Sequence, residues 1–481
     1  METLTNTSIE IWWWVGTIFL VLGIWGAVQA IMETRTPQGA LAWVVMLLAF
    51  PVVGVPLYWI FGYRNFKGYK RGLDIFSSKT LTREHRRILE EFKENEIAMH
   101  PLFERANAWQ EGAFSYFSEG NSVKLLINGD QAYERIFEAI EKAEHYILIE
   151  FYIIQADASG KRLYRALLKK AQEGVKCYVM FDAWGGNRFR KYTKALTRAG
   201  VHIYPFQTNR GARNKLRLNF RNHRKIVIID GKTGFIGGIN IGDEYVGRHK
   251  KLTPWRDTNI EIAGPSLLLV QYAFQRDWEF ASGARLTDLS WELQKKSGLS
   301  EVMIVPTSPV SVHDYGSLFF LHLINNAKKR LWIFNPYFVP DEQFISALQL
   351  ASLRGVEVKI VTPKLCDGVL VENIGIGVMQ ALERFENIEW YHYLKGFMHQ
   401  KVFLIDDDLS LIGTHNFDNR SFRLNFELSA LIRDKEFQGK VEEMLLEDLK
   451  NSEKANKGKF KTLPFPRRLL IRFLSLLSPI A

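Results

Sequence analysis

Two segments of the chain combine a histidine, a lysine and an aspartate at one spacing, His-x-Lys-x4-Asp. Their residues are His223, Lys225 and Asp230, and His399, Lys401 and Asp406. An imidazole can act as a nucleophile or exchange a proton near neutral pH, and an ammonium beside it can hold an anionic oxygen. A single copy of this pattern is weak evidence. Two copies indicate an internal duplication in which two half-sites share one reaction.

An asparagine follows each histidine at the same distance along the chain. Asn240 and Asn416 both lie 17 residues downstream, shortly after the small pairs Gly237-Gly238 and Gly413-Thr414. Carboxamides can donate to the nonbridging oxygens of a phosphodiester, and small residues let backbone approach a phosphate closely. The pattern therefore predicts two imidazoles, two ammoniums and two carboxamides around one small volume, with no metal and no cofactor.

The elements that must position these groups are predicted from periodicity. Alternation around each His-x-Lys places the histidine and lysine on one face of a strand. The aspartates, at the strand ends, are expected to brace the lobes or turns more than to touch substrate. Gly174 and Gly355 begin similar strand-like runs upstream of the two motifs. We expect a mixed α/β fold of two similar lobes, residues 121–293 and 301–450, each a mixed sheet flanked by helices.

The composition limits the partners and cofactors. The 481 residues carry a formal net charge of +11, which favours anionic lipid, phosphate substrates or nucleic acid as partners. Two cysteines, Cys177 and Cys366, are too few for a disulfide framework or a zinc cluster. The sequence contains no stripe of interleaved aromatic and basic residues suited to bases, so a nucleic-acid partner is not expected.

Residues 1–62 predict a transmembrane helical hairpin. No charged residue occurs at positions 11–32 or 36–63, which are runs of 22 and 28 residues, and about 20 apolar residues suffice for a helix to cross a bilayer. The alternative is a cleavable signal peptide. It is disfavoured because residues 1–10 contain Glu2 and Glu10 and no basic residue.

Basic residues beside the two runs predict the orientation of the hairpin. The connecting loop contains only Arg35. The segment after the second run contains Arg64, Lys67, Lys70, Arg71, Arg83, Arg86 and Arg87. Because positive residues stay cytoplasmic, we expect a multi-pass protein of the cell (inner) membrane whose catalytic domain faces the cytoplasm. Residues 63–120 are expected to form a juxtamembrane linker with helices.

The last segment, residues 451–481, is basic and amphipathic. Arg467, Arg468 and Arg472 fall near one face of a helix whose other positions are mostly leucine and phenylalanine. A short helix of this kind lies in a membrane interface and does not span it. Packing of the helix against the domain is the alternative that the sequence leaves open.

The paired motifs resemble the signature of the phospholipase D superfamily without a substitution. Within it the chain is similar to the bacterial cardiolipin synthases over essentially its whole length. Further segments that carry this resemblance are Arg35-Thr-Pro, Arg221-Asn-His-Arg-Lys, Gly237-Gly-Ile-Asn-Ile-Gly-Asp-Glu-Tyr, Asn335-Pro-Tyr-Phe-Val-Pro-Asp and Asn419-Arg-Ser-Phe. The resemblance implies a phosphatidyltransferase that converts two phosphatidylglycerols into cardiolipin and glycerol through a covalent phosphohistidine. It also implies phosphatidylglycerol and anionic membrane lipid as partners.

The resemblance further implies roles for individual residues. His223 would be the nucleophile, and His399 the general acid and then the base. In the family a carboxylate roughly 25 to 35 residues downstream of each histidine orients the imidazole. The corresponding residues here are Asp257 and Glu427. The substrate-binding candidates are Asn240, Asn416, Arg420 and Arg423, and Tyr337-Phe338 resembles a substrate-side loop.

Several alternatives stay open on the residues alone. Either histidine can be the nucleophile. The same chemistry would serve a phospholipase D-type hydrolase or another phosphatidyltransferase. A membrane-tethered, lipid-binding scaffold with an inactive site belongs to a different class and is less well supported, because every motif residue is present. A nuclease would gain nothing from a membrane hairpin.

Overall fold

The computed structural model of the protein describes residues 2–34, 36–62, 117–207, 219–248, 252–310, 314–366, 368–476 and 478. Arg35, the basic residues between positions 64 and 87, most of the expected linker 63–120 and the end of the C-terminal tail lie outside these ranges. The chain falls into two compact units. One contains residues 1–71 and 208–221, and the other contains residues 72–207 and 222–481.

The N-terminal unit consists of helices α1 (Glu2–Glu33), α2 (Pro37–Ala49) and α3 (Pro51–Leu57), followed by a π-helical turn. Within the described residues, one stretch, Trp12–Glu33, is long and apolar enough to cross a membrane, with a mean hydropathy of 2.0. Helices α1 and α2 approach closely at Gly23. A Cβ added there would lie only 2.4 Å from the Leu47 carbonyl oxygen, so the position requires glycine. The expected second continuous span is divided at Phe50, where Pro51 begins the next helix.

The second unit contains the two expected lobes. The elements of lobe 1 are β1 (Phe117–Ile127), α4 (Asn128–Glu141), β2 (Tyr146–Phe151), α5 (Ala158–Gln172), β3 (Lys176–Asp182), α6 (Arg190–Arg198), β4 (His202–Phe206), β5 (Ile226–Ile229), β6 (Thr233–Gly237), β7 (Trp255–Arg256), β8 (Thr258–Ala263) and α7 (Leu267–Ser282). The first strand begins before residue 121 because its N-terminal half pairs with lobe 2.

Lobe 2 repeats this order with small additions. Its elements are β9 (Ser300–Thr307), α8 (Tyr315–Asn326), β10 (Arg330–Phe334), β11 (Phe338–Val339), α9 (Glu342–Leu353), β12 (Glu357–Pro363), α10 (Val369–Leu382), β13 (Ile388–Tyr393), β14 (Phe397–Met398), β15 (Val402–Ile405), β16 (Leu409–Gly413), β17 (Phe417–Asp418), α11 (Asn419–Arg423), β18 (Glu427–Arg433) and α12 (Lys435–Lys450). The tail adds β19 (Ser452–Lys454), α13 (Lys459–Thr462) and α14 (Phe465–Ser475).

The sheet order shows the duplication directly. Lobe 1 has the order β1-β8-β6-β5-β2-β3-β4, and lobe 2 has the equivalent order β9-β18-β16-β15-β10-β12-β13. In both lobes three strands pair in parallel and the others pair antiparallel. Strands β1 and β9 pair antiparallel and join the lobes into one sheet. The predicted fold class, two similar lobes of mixed sheet flanked by helices, is confirmed.

The two matched glycines end equivalent helices. Gly174 follows α5 and Gly355 follows α9, with φ of 88° and 87°. A residue without Cβ adopts this left-handed conformation easily, so each glycine lets the chain leave its helix and enter the next parallel strand. Each lobe then buries its own apolar core between sheet and helices.

The expected position of His-x-Lys within a strand is wrong by a few residues. Strand β5 begins at Ile226 and β15 at Val402, so each His-x-Lys precedes its strand. The backbone amide of each histidine instead bonds to the other lobe, which is how each histidine comes to lie between the lobes.

Candidate active site

The segments before the two motifs cross from one lobe to the other. Asn222 bridges to Phe426, and the His223 amide donates to the Phe426 carbonyl at 2.9 Å. In the equivalent crossing β14 pairs in parallel with β7, and the His399 amide donates to the Arg256 carbonyl at 2.7 Å. These contacts place His223 beside Glu427, which follows Phe426, and His399 beside Asp257, which follows Arg256.

Each imidazole is consequently held by a carboxylate of the opposite lobe. His223 Nδ1 lies 2.9 Å from Glu427 Oε2, and His399 Nδ1 lies 2.8 Å from Asp257 Oδ2. The sequence predicted that each histidine would pair with the carboxylate downstream in its own lobe. That pairing is wrong, although the two carboxylates themselves are the predicted ones. A carboxylate that accepts the Nδ1 proton leaves the lone pair of Nε2 available for attack on phosphorus or for taking up a proton.

The two motif lysines lie beside their own histidines. Lys225 Nζ donates to the His223 carbonyl at 2.6 Å, and Lys401 Nζ donates to the His399 carbonyl at 2.6 Å. Lys401 Nζ also lies 3.0 Å from both ring nitrogens of His399. Both lysines are almost fully buried. Two buried ammoniums form an electropositive site suited to an anionic phosphodiester.

Burial and the lysines favour neutral imidazoles. Burial and Lys401 lower the pKa of His399 to about 3, against the opposing effect of Asp257. Burial also lowers the pKa of His223, and both Lys225 and Lys401 contribute, while Glu427 opposes them. Each histidine thus senses the lysine of the other lobe as well as its own. The two half-sites form one electrostatic unit.

The orienting carboxylates stay ionised. Burial alone would raise the pKa of Glu427, but pairing with His223 lowers it to about 2. The pKa of Asp257 is also lowered, because its pairing with His399 outweighs its burial. Burial, opposed by Glu427 and reinforced by Lys401, lowers the pKa of Lys225 to about 7. A phosphate dianion or diester entering this site would restore the lysine charge, because an anion favours the protonated form.

The motif aspartates lie away from the imidazoles. Asp230 accepts backbone N–H groups of Glu144, His145 and Tyr146 at 2.8 to 2.9 Å, which anchors the start of β2. Asp406 accepts the backbone N–H groups that precede and begin β10 in the same way. Both have a left-handed φ, 53° and 49°. Both aspartates thus brace the strands beside the motif, which is the role expected from their position at the strand ends.

The two asparagines are used differently. Asn240 Oδ1 accepts the Ile153 amide at 3.0 Å and its Nδ2 donates to Tyr245 Oη at 3.1 Å. Both polar atoms of this carboxamide thus have hydrogen-bond partners within lobe 1, contrary to its expected role in substrate binding. Asn416 is also buried, but its Oδ1 has no hydrogen-bond partner among the described residues. An unpaired amide oxygen is an acceptor suited to a hydroxyl of a ligand, whereas the Nδ2 group of the same carboxamide can donate to a phosphate oxygen.

The two candidate arginines of α11 also differ. Arg423 pairs with Asp341, and its Nε lies 3.6 Å from Asp314 Oδ2. These ion pairs fix it within lobe 2, contrary to the expected headgroup contact. Arg420 is half-buried beside Asp418. The substrate contact of Arg420 stays a prediction.

Aromatic side chains surround both imidazoles, and only part of this set was expected. The His223 ring lies 5.2 Å from the Tyr152 ring, and the His399 ring lies 5.0 Å from the Trp255 ring. Trp255 also donates from Nε1 to Asp257 Oδ2 at 3.2 Å. The Tyr337 ring meets His399 edge-on at 6.4 Å, in line with the expected substrate-side loop. Trp255 lies two residues before Asp257, so proximity to the predicted carboxylate was the available signal.

The residue between His and Lys in each motif was not expected to matter. Arg224 forms a buried ion pair with Asp277 of α7 at 2.7 Å and donates to the Glu427 carbonyl at 3.1 Å. Gln400 donates to Asp448 of α12 at 2.8 Å. Helices α7 and α12 are equivalent in the two lobes, so each motif is tied to the same helix of its own lobe. No sequence signal distinguished these middle positions.

The family described as "Cardiolipin synthase, PLD-like domain" matches residues 136–278 and 320–449, which are the two lobes, and "Phospholipase_D-nuclease N-terminal" matches residues 21–62. The chain belongs to the cardiolipin synthase family of phospholipase D-like proteins. The similarity of the motifs to this family, inferred from the sequence, is confirmed.

Members of this cardiolipin synthase family match nearly the whole chain. A Pseudomonas putida protein named cardiolipin synthase A is 39% identical over 484 residues, covering 97% of both chains. A Pseudomonas aeruginosa protein of the same name is 36% identical over 469 residues, covering 96% of this chain and 94% of that one. The crystal structure of a Haemophilus influenzae phosphatidylserine synthase shares the fold, with a TM-score of 0.59 at 16% identity over 75% of this chain and 95% of that chain.

Proposed function

We propose that the two-histidine centre transfers a phosphatidyl group from one phosphatidylglycerol to a second one, which yields cardiolipin and glycerol. The observation that carries this proposal is that the Nδ1 atom of each imidazole contacts a carboxylate of the opposite lobe, His223 with Glu427 and His399 with Asp257. They leave two Nε2 atoms for two successive proton and phosphoryl transfers. The chain is a membrane-associated phosphatidyltransferase by family, and the relatives named cardiolipin synthase A support cardiolipin as the product.

The first half-reaction forms the covalent intermediate. His223 Nε2 attacks the phosphorus of phosphatidylglycerol, a P–N bond forms, and the P–O bond to the headgroup glycerol breaks. His399, protonated once the anionic substrate is bound, gives its proton to the departing alkoxide. Lys225, Lys401 and the Nδ2 group of Asn416 donate to the nonbridging oxygens, where negative charge accumulates in the transition state.

The second half-reaction consumes the intermediate. Neutral His399 removes the proton from the terminal hydroxyl of a second phosphatidylglycerol, and that oxygen attacks phosphorus as the P–N bond breaks. Water could replace the lipid alcohol in this step and would give phosphatidic acid. The buried surroundings of both imidazoles favour transfer over hydrolysis, because they limit the access of water.

The products of the reaction test the proposal. Purified protein in lipid nanodiscs is supplied with labelled phosphatidylglycerol, and the lipids are separated. We expect cardiolipin and an equal amount of glycerol, both abolished by His399→Ala. Phosphatidic acid as the main product would replace the proposal with a hydrolase, and no product from folded protein would indicate a binding scaffold.

The assignment of roles needs a separate experiment. With a phosphatidyl substrate that carries p-nitrophenol, the first step needs no general acid. His399→Ala should then release one equivalent of nitrophenol per enzyme and retain the phosphatidyl group on His223, whereas His223→Ala should give no burst. Label on His399 in the His223→Ala variant would reverse the two roles.

We further propose that the protein is a multi-pass protein of the inner membrane with its lobes in the cytoplasm. The second apolar run, although divided into α2 and α3, contains no charged residue over positions 36–63, and basic residues are concentrated after it. Protease treatment of sealed inverted vesicles should digest the lobes. Protection of the lobes would contradict this orientation.

A further inference from the structure

Lobe 2 contains a pocket away from the two histidines. It is a small, open pocket of about 90 Å³, at the carboxyl ends of β10, β12 and β13. Its lining is mainly apolar and includes Phe338, Val371, Ile376, Met379 and Trp390. An open pocket with an apolar lining is suited to the hydrocarbon end of a larger ligand. None of the motif residues lines it.

Two lysines give the rim of this pocket a positive character. Lys364 and Lys459 line it, against one acidic lining residue, Glu372. Lys364 also pairs with Glu453 at 2.6 Å, whereas Lys459 is exposed. Burial together with these two lysines lowers the pKa of His392, another lining residue, to about 4. An apolar cavity with cationic side chains at its edge is complementary to an anionic amphiphile.

The helix that lines the pocket also supports the C-terminal helix. Ile471 of α14 is fully buried, and Gly377 of α10 allows this approach, since an added Cβ would lie 3.0 Å from Ser475 Oγ. Arg472 Nη2 donates to Gln380 Oε1 at 2.7 Å. Helix α14 is therefore packed on the domain, as the alternative interpretation of the sequence held.

The opposite face of α14 is apolar and exposed. Phe465, Leu469, Phe473 and Leu476 form a stripe at helical spacing and are 58 to 73% exposed. Residues 454–481 contain seven lysines and arginines and no acidic residue. Exposed apolar stripes flanked by basic residues bind anionic bilayer surfaces. The exposed face of α14 thus remains compatible with the expected position in a membrane interface.

We propose that the lobe 2 pocket is a binding site for an anionic phospholipid, with the end of an acyl chain in the pocket, the headgroup at Lys364 and Lys459, and α14 lying in the bilayer surface beside it. The site is additional to the two-histidine centre. Pro336 and Phe338 line it and flank Tyr337, whose ring meets His399, so a bound lipid lies one residue from the catalytic surroundings.

Photo-crosslinking tests the pocket without turnover. The full chain with His223→Ala and His399→Ala is placed in phosphatidylcholine nanodiscs that contain phosphatidylglycerol with a diazirine near the end of one acyl chain. We expect label on residues 362–382. Ile376→Trp fills the pocket and should lower this label at least about fivefold. Leu350→Trp, at an exposed position of α9, is the matched control and should leave it unchanged. Thermal unfolding checks that each variant is folded.

The charge at the rim has its own matched pair. Lys459→Gln should weaken labelling of the pocket about fivefold, the effect of one lysine near an anionic surface. Lys461→Gln, on the same short helix but outside the pocket lining, should not. Absent label in the parent protein, or label unaffected by Ile376→Trp, would refute the site. Equal labelling by a phosphatidylcholine probe would refute its anionic selectivity.

Helix α14 is tested by the same probe with the diazirine moved close to the headgroup. Leu469→Glu with Phe473→Glu should remove label from residues 465–476. Leu394→Glu with Leu446→Glu, at two other exposed leucines of lobe 2, should leave it in place. Equal label in both double variants would show that α14 does not contact the bilayer.

Discussion

The two lobes share one sheet order but surround their histidines differently. At the position after β6, lobe 1 has Gly238, where a Cβ would lie 2.1 Å from Asp257 Oδ1. At the equivalent position lobe 2 has Thr414, whose hydroxyl donates to Glu427 Oε2 at 2.6 Å. Asn240 is committed to a loop, whereas Asn416 keeps an open oxygen. The scaffold was duplicated, and the hydrogen bonds around each imidazole then diverged, as two different chemical roles require.

The largest expected effects test the pairing of each histidine with a carboxylate of the opposite lobe. Glu427→Gln and Asp257→Asn should each lower kcat between about 10² and 10⁴-fold, because the imidazole loses the acceptor that fixes its tautomer. With the p-nitrophenol substrate, Asp257→Asn should give a nitrophenol burst, as His399→Ala does. Glu427→Gln should give none, as His223→Ala gives none. The opposite pattern would mean that Glu427 serves the acid–base histidine.

The asparagines test the divergence of the half-sites. Asn416→Ala should lower kcat about 10²-fold with little change in the free energy of unfolding, the effect of removing one donor to transition-state charge. Asn240→Ala should instead lower the free energy of unfolding by about 1–3 kcal/mol, because the Ile153 amide is left without its partner. Turnover of the folded fraction and denaturant unfolding measure the two effects, and equal losses of kcat would contradict the comparison.

The pH dependence of KM tests the electrostatics of lobe 1. The pKa of Lys225 is lowered to about 7, so its positive charge is present below that pH and lost above it. KM for phosphatidylglycerol should rise about tenfold per pH unit once the lysine is mostly neutral. In Lys225→Arg the side chain stays charged, so KM should be flat over this range whatever its absolute value. The same rise in the arginine variant would place the titration elsewhere.

The smallest expected effect on catalysis concerns the motif aspartates, where the lobes should behave alike. Asp230→Asn and Asp406→Asn each replace a carboxylate that accepts several backbone N–H groups by a carboxamide with a single acceptor oxygen. Each should lower the free energy of unfolding by about 1–3 kcal/mol and leave kcat of the folded protein within about threefold. A loss of kcat beyond tenfold in either stable variant would instead assign that aspartate a role at the reaction centre.

The repeated motifs made the duplication, the fold class and the chemical groups predictable. Periodicity also placed individual elements well: the strand-like runs expected from Gly174 and Gly355 onward coincide with β3 and β12. Local patterns of this kind depend on side-chain alternation within a few residues, which a sequence displays directly.

The pairing across the lobes was not predictable in this way. Whether Asp257 faces His223 or His399 depends on the crossing of β14 onto β7, a contact between residues more than 140 positions apart. Likewise, nothing near Asn240 in the sequence distinguishes it from Asn416. The difference arises from Tyr245 and Ile153, which reach it only in the folded lobe.

The antiparallel pairing of β1 with β9 has a consequence for the origin of the chain. Equivalent strands that pair antiparallel are what a two-fold axis generates between identical subunits. A single-lobe ancestor would have obtained the carboxylate for its histidine only from a second copy, so its activity would have depended on concentration. Fusion of two copies turned that association into a step of folding, and only then could the two halves acquire separate mutations and separate tasks.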